Sequence, residues 1–179
     1  MISKRKPAIF LDRDGVLNAE RSYVCGIEDF YLFPYAKACV QTIQKKGYYA
    51  IVISNQSGIA RGLFSEDALR RMNVYLIAQT GVDAVYYCPH LQNGVVKKYC
   101  FQCNCRKPQT GMIERACQDF LVDLQHSFFV GDRMSDILTG KNAGIKTVLL
   151  RSGYRKNEPE AFRMADYVFD DLQQILAIL

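Results

Sequence analysis

Short runs with almost no polar side chains recur along this chain, and most stop abruptly at a polar cluster. Ala8-Ile9-Phe10-Leu11 ends at Asp12, and Tyr49-Ala50-Ile51-Val52-Ile53 ends in Ser54-Asn55-Gln56-Ser57-Gly58. Ala84-Val85-Tyr86-Tyr87-Cys88 leads into a long irregular segment, Ser127-Phe128-Phe129-Val130 ends in Gly131-Asp132-Arg133, and Thr147-Val148-Leu149-Leu150 follows later. Runs this short and this apolar are strands covered on both faces. Between them the pattern turns helical. Ala36, Val40 and Ile43 make one stripe between Tyr35 and Lys46, closed by Gly47. Ser65 opens a second helix that runs to about Gln79, with Glu66 and Asp67 in its first turn. Thr110 is placed to cap a helix from Gly111 to Leu121, another helix runs up to Gly144, and a short strand Tyr167-Val168-Phe169 precedes a closing helix. The alternation predicts an α/β protein built on a doubly wound, Rossmann-like parallel sheet with helices on both faces.

A chain of 179 residues, 49% hydrophobic and 23% charged, is expected to form a single domain, 1–179, and rules out a fibre or a disordered tail. No apolar stretch reaches the roughly 18 residues of a membrane span, and the basic start Lys4-Arg5-Lys6 runs into Pro7 and soon Asp12, unlike a signal peptide. The net charge of +5 is spread along the chain and suits a small anionic ligand better than a nucleic acid. Seven cysteines without an export signal point to reduced thiols in the cytoplasm. Nothing marks an interface, so a monomer is expected.

In an open sheet, ligands meet the carboxyl ends of the strands. Those ends carry Asp12 and Asp14, Ser54 and Asn55, and Asp132 with Asp136. Carboxylates gathered from separate strands repel unless a cation sits among them, and a few hard oxygen ligands suit Mg²⁺. Gly15 permits a turn tight enough for backbone N–H groups to approach an anion. A carboxylate held beside Mg²⁺ and a phosphate can attack phosphorus, while a second acid two residues on protonates the leaving oxygen and then activates water. Ser54, Asn55 and Lys107 offer the donors that the transferring phosphoryl group needs.

The segment 88–105 is longer than an unstructured loop normally is in a compact domain. Cys88-x-His90 and Cys103-x-Cys105 offer three thiolates and an imidazole, a structural Zn²⁺ set with no open position, and Cys100 could replace one ligand. Zinc would fix the loop and thereby place Arg106 and Lys107.

The motifs Asp12-x-Asp14-Gly-Val-Leu-Asn, Ser54-Asn55-Gln56, Lys107-Pro108 and Gly131-Asp132-x-x-x-Asp136 resemble, in order, the four motifs of the haloacid dehalogenase superfamily of phosphatases. More narrowly, Phe10 to Gly15, Asn55 to Gly62, Tyr87-Cys88-Pro89-His90 and Cys103-x-Cys105-Arg106-Lys107-Pro108 are similar to the heptose 1,7-bisphosphate 7-phosphatases and the related histidinol-phosphatases. The resemblance implies the superfamily's fold with a minimal cap, Asp12 as nucleophile and Asp14 as general acid and base. It implies Mg²⁺ on Asp12, the Asp14 carbonyl and Asp132, with Asp136 behind them, and phosphoryl contacts from Ser54 and Lys107. It further implies that Glu20, Arg21, Ser22, Tyr23, Asn55, Gln56, Ser57, Arg106 and Arg133 meet a small phosphorylated sugar destined for a surface glycan such as lipopolysaccharide. Histidinol-phosphate hydrolysis is the second enzymatic reading, and a zinc-containing nucleic-acid-binding or 3′-phosphatase module is the reading from another class.

Overall fold

A computed structural model describes residues 5–153 and 158–179 of the chain. Lys4 of the basic start therefore lies outside the described residues. Six strands form one sheet: β1 (Ala8–Leu11), β2 (Tyr49–Asn55), β3 (Ala84–Cys88), β4 (Phe128–Gly131), β5 (Lys146–Leu150) and β6 (Tyr167–Phe169). Their order is β3-β2-β1-β4-β5-β6, and every neighbouring pair is parallel. The helices are α1 (Ala36–Lys45), α2 (Glu66–Thr80), α3 (Gly111–Asp119), α4 (Met134–Asn142) and α5 (Pro159–Met164).

The apolar runs behave as strands because alternate residues serve opposite layers. Ile9, Leu11, Ala50, Val52 and Val130 face α1 and α2, which contribute Ala36, Val40, Ile43, Leu69, Met72 and Leu76. Ala8, Phe10, Ile51, Ile53 and Phe129 face the other way, against Met112, Ile113 and Ala116 of α3. On that second side Ile137 of α4 and Ala161 of α5 pack with Leu149. The two faces together bury β1 completely, which is why a run as short as four residues holds its place at the centre.

Local signals set several ends. Ser65 Oγ accepts from Ala68 N at 3.1 Å and starts α2, and Gly81 stops it at φ +79°, the left-handed conformation that favours glycine. Other expectations need correction. Thr110 stands at the head of α3, but its hydroxyl donates to Glu114 instead of capping the backbone. The helix it heads ends at Asp119, not at Leu121. The closing helix is a 3-10 segment, Leu172–Ala177, and α5 is an element that the sequence pattern did not announce. β2 runs through Ser54 and Asn55, so these residues sit on the strand itself.

Strand order reverses at β1, which has β2 on one side and β4 on the other. The crevice outside the ends of β1 and β4 is therefore the natural ligand position of this topology. Between β1 and α1 the chain holds only the 3-10 turn Ile27–Asp29, so little covers that crevice. No helix among the described residues is long and apolar enough to cross a membrane.

Candidate active site and thiolate cluster

β1 and β4 run side by side, so the residues that follow them arrive together. The backbone N–H of Asp12 donates to Val130 O at 2.9 Å, and carboxylate oxygens of Asp12, Asp132 and Asp136 all lie within 4.8 Å of one another. Gly15 has φ +85°, and a side chain there or at Gly153 would collide with the Asp132 carboxylate. The two glycines let the backbone close around that acid. Asp136 has both oxygens engaged: Oδ2 accepts from Asp132 N at 3.2 Å and Arg133 N at 3.0 Å, and Oδ1 is 2.6 Å from Lys107 Nζ. It lies in the first turn of α4 and steadies the turn that presents Asp132.

Lys107 is almost completely buried, at 4% exposure, so each of its protons needs a partner. Nζ donates to Asp12 Oδ1 at 2.9 Å, to Asp136 Oδ1 and to Ile53 O at 3.0 Å. Burial alone would discharge the ammonium, but the two acids outweigh it and hold the Lys107 pKa above the ordinary lysine value. Burial acts in the other sense on Asp12, whose carboxyl is pushed up to about 7 despite Lys107, with the charges of Asp136 and Asp14 adding to the shift. Three buried acids against the Lys107 ammonium and the nearby Arg133 guanidinium, which Glu20 shares, leave a surplus of negative charge among hard oxygen donors. That is the condition that a divalent cation such as Mg²⁺ relieves, so the residues fit it.

Asp14 is placed differently from a free acid. Its carboxylate takes Arg13 Nη2 at 2.9 Å, Asn18 Nδ2 at 2.8 Å and Gln56 Nε2 at 2.9 Å. Burial opposes ionisation, but the Arg13 guanidinium and these hydrogen bonds prevail and hold Asp14 below the ordinary carboxylate range. Arg13 and Asn18 fall within the sequence motifs but carry no role there, and the structure places both on the Asp14 carboxylate. The spacing of Asn18, four residues after Asp14, was the available signal.

An open cleft of roughly 180 Å³ lies over this centre, lined by Asp12, Asp14, Glu20, Ser22, Tyr23, Asn55, Gln56, Ser57, Arg106, Lys107 and Arg133 among others. Glu20 and Arg133 pair across it at 2.9 Å. Several of the expected residues also have partners within the protein. Asn55 Oδ1 accepts from the Lys107 backbone N–H at 3.0 Å, and its Nδ2 donates to Lys107 O at 3.2 Å, so the amide clamps that peptide and keeps one N–H for the cleft it lines. Ser54 is buried, and its Oγ accepts from Gln56 Nε2 at 2.9 Å, which leaves its own O–H to donate. Arg21 stacks over the Tyr31 ring at 4.0 Å and does not line the cleft.

At the end of β3, Cys88 meets His90, Cys103 and Cys105. The sulfur pairs are 3.3 to 3.6 Å apart, and His90 Nδ1 is 3.2 Å from Cys105 Sγ and 3.6 Å from Cys88 Sγ. A tetrahedral zinc with bonds of about 2.3 Å to sulfur and about 2.1 Å to nitrogen has edges of about 3.6 to 3.8 Å. These distances equal or fall slightly below those edges, and all four ligand atoms lie within 4.8 Å of one another, so the site fits the ion. Contact with Cys88 and Cys103 draws the Cys105 thiol below its ordinary range, while Cys105 and burial push Cys88 above it. Cys100 stands outside the set, its thiol donating to Val96 O at 3.1 Å. Arg106 follows the last ligand and reaches back to His90 O at 3.3 Å.

Comparison with known proteins gives concordant results. A family model described as HAD-hydrolase-like matches residues 104–175. The chain is 40% identical over 176 residues to a D-glycero-beta-D-manno-heptose-1,7-bisphosphate 7-phosphatase of Pasteurella multocida, covering 95% of each chain. It is also 40% identical over 159 residues to a D-glycero-alpha-D-manno-heptose-1,7-bisphosphate 7-phosphatase of Photorhabdus laumondii, covering 84% of this chain and 85% of that one. Among solved structures, the D,D-heptose 1,7-bisphosphate phosphatase of B. bronchiseptica, complexed with magnesium and phosphate, superposes with a TM-score of 0.78 at 29% identity, covering 97% of this chain and 99% of the other.

Proposed function

The chain belongs to the heptose 1,7-bisphosphate 7-phosphatases of the haloacid dehalogenase superfamily, and on that premise we propose that it removes the C7 phosphate of D-glycero-D-manno-heptose 1,7-bisphosphate through an aspartyl-phosphate on Asp12. It is a phosphoric monoester hydrolase, and the histidinol-phosphate and nucleic-acid readings are not favoured. The observation that carries the catalytic assignment is the meeting of Asp12, Asp132 and Lys107 outside the ends of β1 and β4.

Asp12 attacks phosphorus, and the sugar C7 oxygen leaves. Lys107, its direction fixed by Asp136 and Ile53 O, stabilises charge on the nucleophile and on the transferring group. Asp12, the Asp14 carbonyl and Asp132 would hold Mg²⁺, which would supply further neutralisation of the phosphoryl oxygens. The leaving alkoxide needs a proton, and Asp14 is the acid within the cleft that supplies it. Arrival of a phosphate dianion raises the proton affinity of Asp14 against the pull of Arg13. Once it has given up that proton, the same carboxylate takes one from the water that opens the phosphoenzyme. Arg106, Arg133, Glu20, Ser22, Tyr23, Gln56 and Ser57 border the space left for the sugar and its second phosphate.

Zinc on Cys88, His90, Cys103 and Cys105 ties down segment 88–105 and so places Arg106 and Lys107. A thiol-rich site of this kind belongs in a reducing cytoplasm, where the enzyme works as a monomer on a sugar bisphosphate bound for nucleotide-activated heptose. Phosphate release with Mg²⁺ from both heptose bisphosphate anomers, fructose 1,6-bisphosphate and histidinol phosphate tests the reading. Preference for a heptose bisphosphate is expected, and faster hydrolysis of histidinol phosphate overturns the substrate assignment.

A further inference from the structure

Glu66, in the first turn of α2, lies outside the cleft and is used by neither the chemistry nor the thiolate cluster. Its two oxygens nevertheless serve one purpose each. Oε1 accepts from the Tyr87 hydroxyl at 2.8 Å, and Oε2 accepts from the Tyr99 hydroxyl at 2.8 Å. Tyr87 directly precedes Cys88, the first ligand of the cluster, and Tyr99 ends the 3-10 turn Lys97–Tyr99, four residues before Cys103. One carboxylate therefore holds both arms of the loop, each by a charge-assisted hydrogen bond.

From Tyr99 the connection runs onward. Its carbonyl accepts from Leu91 N at 3.1 Å, next to His90, and the His90 carbonyl accepts from Arg106 Nη1 at 3.3 Å. Arg106 borders the cleft. We propose that Glu66 is a positioning residue for substrate recognition, setting the loop through Tyr87 and Tyr99 so that Arg106 meets the substrate. This inference rests on the reading of Arg106 as a contact to the sugar bisphosphate. The competing account is an acid that merely favours the positive end of α2, as Asp67 beside it also does.

The two accounts part on the tyrosine hydroxyls. Tyr99→Phe leaves helix and charge alone, and with Glu66→Gln and the double variant it completes a cycle on the holoenzyme. Loop setting predicts that each single variant raises KM for the bisphosphate by about threefold to tenfold, the net worth of one ordinary hydrogen bond, with kcat little changed. It predicts an unchanged KM for p-nitrophenyl phosphate, which has no second phosphate, and a double variant no worse than the poorer single one. Amide hydrogen exchange in residues 91–100 should quicken by at least about fivefold in each. Wild-type KM and wild-type exchange in Tyr99→Phe overturn the proposal. If the wild-type enzyme does not hydrolyse heptose bisphosphates, the function reading fails, and the exchange rates alone then decide whether Glu66 sets the loop.

Discussion

Lys107 Nζ stands 2.9 Å from Asp12 Oδ1 and 2.6 Å from Asp136 Oδ1, so one buried ammonium joins acids that follow two different strands, β1 and β4. The link gives Asp12 a fixed direction and leaves its second oxygen for other partners. It also explains why a lysine that sequence statistics would leave on the surface is 4% exposed.

Asp12→Asn is expected to lower turnover by at least about a thousandfold and to abolish phosphoenzyme, because no nucleophilic oxyanion remains. Asp14→Asn removes a proton carrier and should cost about a hundredfold or more in kcat. Rapid-quench detection of phosphoenzyme separates the two, and normal turnover by Asp12→Asn would falsify the nucleophile assignment.

Burial pushes the Asp12 carboxyl up to about 7 in the metal-free chain, against about 3.9 when unfolded. Between these values the folded chain keeps a proton that the unfolded chain has released. This group therefore favours the fold most below about pH 4, and its contribution is lost as pH rises towards about 7. Mg²⁺ competes with that proton. The rise in Tm on adding Mg²⁺ should be small at about pH 5.5 and large at about pH 8. Calorimetric melts across that range check it, and equal Mg²⁺ effects at both ends would count against the Asp12 site.

Asn55→Ala removes both hydrogen bonds to the Lys107 peptide while leaving every charge in place. Loss of about 1 to 3 kcal/mol from Lys107 placement should appear in kcat more than in KM. A variant that raises KM alone would return Asn55 to the role of substrate contact.

Cys103→Ser should release zinc, loosen segment 88–105 and raise KM, whereas Cys100→Ser should keep its zinc because that sulfur faces Val96 O. Metal content after dialysis, read beside KM, distinguishes them. Full zinc content in Cys103→Ser would remove that residue from the ligand set.

The strand pattern, the parallel sheet and the rim that carries the chemistry could be read from the chain because they rest on local properties. Ala8 to Leu11 is apolar throughout, and the offset from Asp12 to Asp14 or from Asp132 to Asp136 is a matter of backbone geometry a few residues long. Partner choice among polar side chains was not local. Asn55 reads as a phosphate donor, yet its amide faces a peptide 52 residues away. Asp14 reads as a free acid, yet Gln56 reaches it from just past the end of β2, and Cys100 reads as a spare ligand, yet its thiol points at Val96 O. A hydrogen bond is short, directional and saturable, so the first well-aligned partner takes the group. Which partner that is depends on the packing of the whole sheet.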